Sequence, residues 1–169
     1  MKLVADTSAF AAIFFQEPEC EHFRRALLGA QSVLVSTATL VELHLIVSHR
    51  YGPAGVLQMQ RLLDSPLFET VPVDAAMVKI AVNAFESWGK GRHRAGLNFG
   101  DLFSYALAKQ RGLPLLFKGE DFSETDITPA LDGPDRWPNT QGVTVHERQR
   151  QYISHYRKSG GVSPHLTDP

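Results

Sequence analysis

Short apolar runs alternate along this chain with longer stretches that carry apolar residues at helical spacing. Runs at residues 2–5, 33–35, 68–73 and 113–117 predict strands that are buried on both faces. Pro72 has no amide hydrogen to donate, so it marks the third run as the end of a strand or as an edge strand. Such strands, separated by helices, predict a parallel sheet covered by helices, and therefore an α/β fold.

Glycine, proline and small hydroxyl residues delimit the predicted helices. The first predicted helix follows Thr7 and Ser8, and the second runs from Pro18 to Gly29. The third opens at Thr37 or Thr39 and stops at the break 51–53. Three more are predicted at about 54–63, at 75–88 and from Asp101 to Gly112. In a parallel sheet covered by helices, ligands gather at the carboxyl ends of the strands.

At 169 residues the chain is long enough for one domain with a single buried core. We place that domain at residues 1–131, because the sequence becomes turn-rich from Asp132 onward and is then polar and basic. Residues 132–169 form a predicted C-terminal extension. Within it, residues 146–158 could make a short basic helix that binds polyanions or packs on the domain.

Charge, cysteine content and hydropathy narrow the class of protein. The net charge of −1 argues against a uniformly basic nucleic-acid coat, so any polyanion must be met by local patches. The single cysteine, Cys20, cannot close an internal disulfide and favours a reducing compartment. No basic segment followed by a long apolar run opens the sequence, and no stretch approaches the roughly 20 apolar residues of a membrane span. We therefore expect a cytoplasmic protein with no membrane partner.

Acidic side chains stand at the edges of several apolar elements. Asp6 and Asp121 each follow a predicted strand, and Glu42 lies beside a core-facing helical stripe. Asp101 opens a predicted helix, where it could equally serve as a cap or first-turn acid. Converging carboxylates repel one another at low dielectric unless a cation neutralises them. An all-oxygen set suits Mg²⁺ or Mn²⁺, which bind phosphate oxygens and activate water, so phosphodiester hydrolysis is the reaction that such a site favours.

Four segments of the chain resemble the PIN-domain ribonucleases, and most closely the VapC-type toxins of bacterial toxin–antitoxin pairs. They are Val4 to Ser8, Glu42, Asn98 to Asp101 followed by Tyr105 to Ala108, and Leu116 to Phe122 with Thr125 and Asp126. The resemblance covers about residues 1–131, and the order, spacing and flanking residues of the last two segments agree with the family. It implies a PIN-like three-layer α/β/α fold with a central parallel sheet.

The same resemblance implies an endoribonuclease that depends on Mg²⁺ or Mn²⁺. Its catalytic and metal-binding acids would be Asp6, Glu42, Asp101 and Asp121. Asp126 would hold a water or support the other ligands, and Ser8 would hydrogen-bond a carboxylate or a water, with a helix cap as the equal alternative for Ser8. Water would attack phosphorus in line, without a covalent protein intermediate. The family also implies an RNA substrate, a homodimer held by apolar helix surfaces, and a cognate antitoxin protein.

A basic, glycine-flanked loop precedes the third acidic segment and contains Lys90, Arg92 and Arg94. Its closeness in sequence to Asp101 favours contact with RNA phosphates, which would position the strand without specifying its sequence. A solvated charged loop is the alternative for these three residues.

Two other functions fit parts of the sequence. Asp6 after the first strand is similar to the nucleophile of haloacid-dehalogenase-like phosphatases, but Ser8 stands where those enzymes carry a second aspartate. A non-catalytic PIN-like module that binds RNA or a protein partner is the other alternative, and the complete set of four acids argues against it. A covalent aspartyl-phosphate on Asp6 would favour the phosphatase. RNA affinity without metal-dependent cleavage would favour the binding module.

Overall fold

The structure of the chain, a computed structural model, describes residues 1–131. The predicted extension at 132–169, including the helix expected at 146–158, lies outside the described residues. Within residues 1–131, no helix is both long enough and apolar enough to cross a membrane.

Four parallel strands form the central sheet in the order β3-β2-β1-β4. They are β1 (Lys2–Ala5), β2 (Ser32–Ser36), β3 (Phe68–Val71) and β4 (Leu115–Leu116). β1 therefore lies inside the sheet, with Val4 opposite Leu34 on one side and Leu115 on the other. β3 is an edge strand that ends just before Pro72, as that proline predicts.

Five helices and a short 3-10 helix complete the described part of the chain. They are α1 (Thr7–Phe14), α2 (Cys20–Leu28), α3 (Thr37–Leu63), α4 (Ala75–Trp88) and α5 (Phe99–Arg111), with the 3-10 helix at Asp121–Glu124. Four of the five α-helices begin after a residue whose side chain accepts a backbone N–H of the first turn: Asp6, Ser36, Asp74 and Asn98. The predicted helix starts at Thr37 and Ala75 are confirmed, and the capping side chain is in each case that of the residue just before.

Two apolar layers lie on opposite faces of the sheet, because successive strand residues point to opposite sides. Val4, Leu34 and Leu115 pack on one face against α4 and α5. Leu3, Val33 and Leu116 pack on the other face against α1, α2 and α3. The predicted three-layer α/β/α architecture with a central parallel sheet is thus confirmed, and the carboxyl ends of β1, β2 and β4 share one edge.

One predicted break is confirmed, and one predicted strand is shorter than expected. The helix expected to stop at 51–53 is interrupted at Gly52, whose φ of 60° is not helical and suits glycine. Pro53 then opens the second helical stretch, which corresponds to the helix expected at about 54–63 and completes α3 at Leu63. The strand expected at 113–117 is only two residues long. After Leu116 the chain leaves the sheet, and the Phe117 ring turns into the core against Phe122.

Candidate active site

Asp6 is a buried carboxylate at the carboxyl end of β1, and only 3% of the residue is exposed. Its Oδ2 accepts hydrogen bonds from the Ser8 backbone N–H (2.9 Å) and from Ser8 Oγ (2.6 Å). Its Oδ1 accepts a third hydrogen bond from Ser104 Oγ of α5 (2.7 Å). Three hydrogen bonds therefore satisfy both oxygens of a carboxylate that would be costly to bury without partners.

Ser8 connects this carboxylate to the chain beyond β4. Besides donating to Asp6, Ser8 Oγ accepts a hydrogen bond from the backbone N–H of Lys118 (3.0 Å). The residue at the N-cap position of α1 is Asp6 and not Ser8. Of the two roles that the sequence allowed for Ser8, the structure shows the hydrogen bond to a carboxylate and not the helix cap.

Glu42 projects from α3 toward the first turn of α5. Its Oε2 accepts a short hydrogen bond from Thr7 Oγ1 (2.5 Å), which holds the carboxylate near the end of β1. A Cβ atom added at Gly100 would lie 2.6 Å from Glu42 Oε1 and 2.7 Å from Oε2. Only a residue without a side chain lets the carboxylate approach α5 this closely.

Asp101 lies in the first turn of α5, which begins at Phe99 and not at Asp101 as the sequence predicted. Asn98 is the cap: its Oδ1 accepts from the N–H groups of Gly100 (2.7 Å) and Asp101 (3.2 Å), while Asp101 Oδ2 accepts from Asn98 N–H (2.7 Å). This reciprocal pattern is a capping box, and it fixes the Asp101 side chain in place.

Burial raises the pKa of Asp101 from its ordinary value of 3.8 to about 7. The neighbouring charges of Asp6, Asp121 and Glu42 add to this rise, and the hydrogen bond from Asn98 opposes it. Asp101 therefore serves as a capping residue and also as a member of an uncompensated acidic group. The capping role that the sequence left open is confirmed, and the catalytic role stays a prediction.

Asp121 opens the 3-10 helix that follows β4. Burial of the carboxylate, then the charges of Asp6 and Glu120, raise its pKa. These mutual effects place Asp121 with Asp6, Glu42 and Asp101 in one electrostatic cluster at the carboxyl edge of the sheet. We call these four residues the acidic cluster.

The acidic cluster has the oxygen donors that the predicted divalent cation prefers. Its four donors are carboxylates, and the repulsion felt by Asp101 is the kind that a hard cation relieves. Among residues 1–131, however, no group of three or more histidine, cysteine, aspartate or glutamate side chains is arranged so that it could hold a metal ion. The hydroxyls of Ser8, Ser104 and Thr7 are the present partners of these carboxylates. The donor chemistry fits Mg²⁺ or Mn²⁺, and ligation would require side-chain rotation.

Asp126, predicted as a support for the acidic cluster, is engaged elsewhere. Its Oδ1 accepts from Tyr105 Oη (2.7 Å) and its Oδ2 from Lys109 Nζ (2.9 Å), both on α5. Burial raises the pKa of Asp126, but the hydrogen bonds from Lys109 and Tyr105 outweigh it, so the pKa is lowered overall. Trp88 Nε1 in turn donates to Tyr105 Oη (3.3 Å). The contacts of Asp126 thus join the segment after the 3-10 helix to α5.

The basic loop is closed at its base, where Lys90 N–H donates to the Leu97 carbonyl and Leu97 N–H to the Trp88 carbonyl. Arg92 forms an ion pair with Glu86 (2.8 Å) and lies over the Phe85 ring, 4.8 Å from its centroid.

Arg94 forms an ion pair with Glu124 of the 3-10 helix, and Lys90 is exposed. The structure therefore brings Arg94 toward the helix that carries Asp121. It leaves both arginines with acidic partners.

Three residues that contact the acidic cluster were not predicted from the sequence: Thr7, Gly100 and Ser104. Ser104 follows Asp101 at helical spacing on the same face of α5, and this signal could have identified it. Its Oγ also lies 3.2 Å from Thr39 Oγ1, which lies 2.9 Å from Ser36 Oγ. A buried row of hydroxyls thus runs from Asp6 to the start of α3.

Comparison with known proteins agrees with this geometry. Residues 3–127 match the PIN domain family. Ribonuclease VapC30 of Mycobacterium tuberculosis is 46% identical over 125 residues, which cover 74% of this chain and 95% of that protein. Ribonuclease VapC of Mycolicibacterium smegmatis is 44% identical over 125 residues, covering 74% and 97%. Ribonuclease VapC42 of Mycobacterium tuberculosis is 40% identical over 129 residues, covering 76% and 98%.

Solved structures share the fold at lower identity. The Mycobacterium tuberculosis toxin VapC20, described as cleaving the sarcin-ricin loop, superposes with a TM-score of 0.63 at 18% identity and covers 75% of this chain and 96% of that one. DNA-bound VapBC from Salmonella typhimurium has a TM-score of 0.60 at 19% identity, covering 76% and 96%. These matches support the PIN fold over the haloacid-dehalogenase-like alternative.

Proposed function

The chain belongs to the PIN-domain family, among relatives that are VapC ribonucleases, and on that premise we propose that its acidic cluster hydrolyses RNA with the help of Mg²⁺ or Mn²⁺. It is an endoribonuclease that acts as the toxin of a toxin–antitoxin pair. The geometry that carries the metal proposal is the convergence of carboxylates at the first turn of α5: Glu42 lies against Gly100, and Asp6 accepts from Ser104 of α5. In agreement with it, burial and the charges of Asp6, Asp121 and Glu42 raise the pKa of Asp101 to about 7.

The four acids Asp6, Glu42, Asp101 and Asp121 would hold the cation. When bound, a divalent cation stabilises charge on phosphate oxygens and lowers the pKa of water, so that hydroxide is available near neutral pH. The chain itself contributes orientation: Ser8 and Ser104 fix the two oxygens of Asp6, and Thr7 fixes Glu42. Asn98 holds Asp101 through the capping box. No side chain needs to form a covalent bond with the substrate.

Substrate phosphates would meet the positively charged rim of the site. Lys90, Arg92 and Arg94 are the candidates, and Arg94 is the best placed of them because its partner Glu124 belongs to the helix that begins at Asp121. An approaching phosphate would compete with Glu124 for the Arg94 guanidinium, which binds carboxylate and phosphate in the same planar manner.

Two protein partners complete the proposal. Exposed apolar side chains on α3 and α5 flank the acidic cluster in sequence, namely Val41 and Leu45 beside Glu42, and Phe99 beside Gly100 and Asp101. We propose that such helix surfaces hold a homodimer. An antitoxin would silence the site by placing an arginine or lysine against the acidic cluster, because a cation there relieves the same repulsion as a metal ion.

The test uses the full chain, purified and freed of metal by chelation. Cleavage of a mixed cellular RNA is followed with and without added Mg²⁺ or Mn²⁺, and new RNA ends are sequenced after brief exposure. We expect cleavage only with the cation, and loss of cleavage in the Asp6→Asn variant with the fold retained. Full activity in excess chelator would contradict the metal assignment. RNA binding without any metal-dependent cleavage would instead favour the non-catalytic module.

A further inference from the structure

A second charged group lies beside the acidic cluster and has no part in the proposed chemistry. The Lys118 ammonium forms ion pairs with Glu17 and with Glu19, the latter at 3.5 Å. Both glutamates belong to the connection between α1 and α2, whereas Lys118 follows β4. Only 1% of Glu19 is exposed, and the side chain of Lys118 is 20% exposed. We call these three residues the lysine clamp.

The backbone of Lys118 is connected to the acidic cluster through Ser8. Its N–H donates to Ser8 Oγ (3.0 Å), and Ser8 Oγ donates to Asp6 Oδ2 (2.6 Å). Two residues earlier, the Leu116 carbonyl accepts from Asp6 N–H (2.9 Å). Three residues later the chain reaches Asp121. The segment from Leu116 to Asp121 therefore determines how two members of the acidic cluster face each other.

The lysine clamp withdraws charge from water, since Glu19 is buried and the side chains of Lys118 and Glu17 are 20% and 31% exposed. Burying a charged pair loses solvation that mutual attraction only partly restores, and well-packed apolar residues would often be at least as stable. The chain also accepts backbone strain next to it: Gln16 has a φ of 49°, the one positive φ at a non-glycine position among residues 1–131. Glu17 N–H then donates to the Ala12 carbonyl (2.9 Å), which turns the glutamates back toward the sheet edge.

Because a largely buried ion pair is weak evidence for stability, the contacts that it fixes are the informative feature. We propose that Lys118 is a positioning residue: its ion pairs with Glu17 and Glu19 hold the connection 117–120, and through Ser8 this connection fixes the relative placement of Asp6 and Asp121. The inference rests on the proposed function, since the acidic cluster is the feature being positioned. Lys118 itself touches neither RNA nor the reacting atoms in this role.

The experiment compares the full-length protein with Lys118→Met, Lys118→Arg and the double variant Glu17→Gln/Glu19→Gln. Amide deuterium exchange of residues 117–122 reports the connection, Mn²⁺ affinity is measured by electron paramagnetic resonance, and kcat and KM are measured with RNA. We expect faster exchange, about 10-fold weaker Mn²⁺ binding and about 10-fold lower kcat in Lys118→Met and in the double variant, with KM little changed. Lys118→Arg should restore most of each loss, because it keeps the charge.

Val47→Ala is the matched control for general destabilisation. Val47 is completely buried in α3, so the substitution leaves a cavity without touching the lysine clamp or the acidic cluster. Mn²⁺ affinity and exchange at 117–122 should stay at their wild-type values in this control. Equal losses in Val47→Ala and Lys118→Met would overturn the proposal, since the effect would then be one of stability alone.

Two further outcomes are decisive. A lower kcat in Lys118→Met combined with a wild-type kcat in the double glutamine variant would mean that Lys118 acts on the RNA directly, which overturns the proposal. Should Lys118→Met fail to fold, the single Glu17→Gln variant carries the test, because that glutamate is partly exposed. If the wild type neither binds Mn²⁺ nor cleaves RNA, the proposed function fails, and deuterium exchange still decides whether the lysine clamp holds the connection.

Discussion

Two carboxylates that contact the same helix have opposite environments. Asp101 lies in the first turn of α5, where burial and then the charges of the acidic cluster raise its pKa to about 7. Asp126 lies against the later part of α5, where Lys109 and Tyr105 outweigh burial and lower its pKa. One acid lacks a cationic partner among the hydrogen bonds and ion pairs that the structure describes, and the other has one.

The difference separates an acid that is paired with a cation inside the protein from one that is not. The ion pair and hydrogen bond at Asp126 join distant segments, so the negative charge of Asp126 is neutralised by Lys109 within the protein. At Asp101 the repulsion is kept, which costs folding stability and leaves the negative potential for a ligand. Substitutions at or beside Asp101 should therefore mainly change RNA cleavage, whereas substitutions beside Asp126 should mainly change the free energy of unfolding.

The largest expected effect is the loss of cleavage in Asp101→Asn. The amide oxygen can still accept from Asn98 N–H, so the capping box and the fold should persist. RNA cleavage should fall by more than about 100-fold, since even groups that only support metal ligands are commonly worth 10–100-fold. Undiminished cleavage by a folded Asp101→Asn protein would contradict the proposed role of Asp101 in RNA cleavage.

Gly100→Ala should reduce activity without reducing stability. The new Cβ would lie 2.6 Å from Glu42 Oε1, so the carboxylate must move, while alanine is a better helix former than glycine. We expect a loss of cleavage of about 10–100-fold with an unchanged midpoint of thermal unfolding. A Glu42→Gln/Gly100→Ala double variant provides the control. It should be no less active than Glu42→Gln alone, because both changes act on the same carboxylate.

The metal-free protein should become less stable as pH rises from about 4 to about 7. A carboxyl whose folded pKa is raised binds its proton more tightly in the folded state, so its stabilisation is lost as pH rises through the folded pKa of about 7. Urea unfolding in chelator measures this slope. In Asp101→Asn the slope should be shallower, and the variant should be more stable than the wild type near pH 8 by about 1–3 kcal/mol, allowing for solvent screening. A steeper slope in the variant would contradict the assignment.

The smallest effect is expected at the satisfied acid. Tyr105→Phe removes the hydroxyl that donates to Asp126 and accepts from Trp88 Nε1, and should cost about 1–2 kcal/mol in the free energy of unfolding. Cleavage at saturating RNA should be unchanged. Because the pKa of Asp126 is lowered, its stabilisation exists above the ordinary value near 3.8 and is lost as pH falls through the folded pKa. A lower kcat in Tyr105→Phe would contradict this expectation and would indicate that Asp126 contributes to catalysis.

Local patterns predicted the fold well, because each pattern acts within a few residues. The helix expected at 75–88 is observed at Ala75–Trp88, since Asp74 caps its start and Gly89 follows its end. One predicted boundary was wrong, since the strand expected at 113–117 is observed only at Leu115–Leu116. The break predicted at 51–53 is observed as the kink at Gly52 within α3, because glycine followed by proline interrupts a helix locally.

The contacts that build the site are long-range, and this explains what the sequence did not indicate. Ser104 reaches Asp6 across 98 positions, Thr7 reaches Glu42 across 35, and Lys118 reaches Glu17 across 101. Serine, threonine and lysine are common on helix and loop surfaces, so their types alone do not identify these roles. Acids beside apolar elements are rare enough to be noticed, which is why the acidic cluster could be predicted. Among the partners, Ser8 was predicted because it lies next to Asp6 in sequence, whereas the roles of Thr7 and Lys118 could not be.

The sheet order has a consequence for synthesis of the protein. β1 leaves the ribosome first and β4 last, yet the two are neighbours, paired through Val4 with Leu115 and Ala5 with Leu116. Asp121 follows β4 in the chain. A nascent or prematurely terminated chain therefore carries an incomplete acidic cluster until about 120 residues have been made, and the cell that translates this nuclease meets it in active form only as a finished domain.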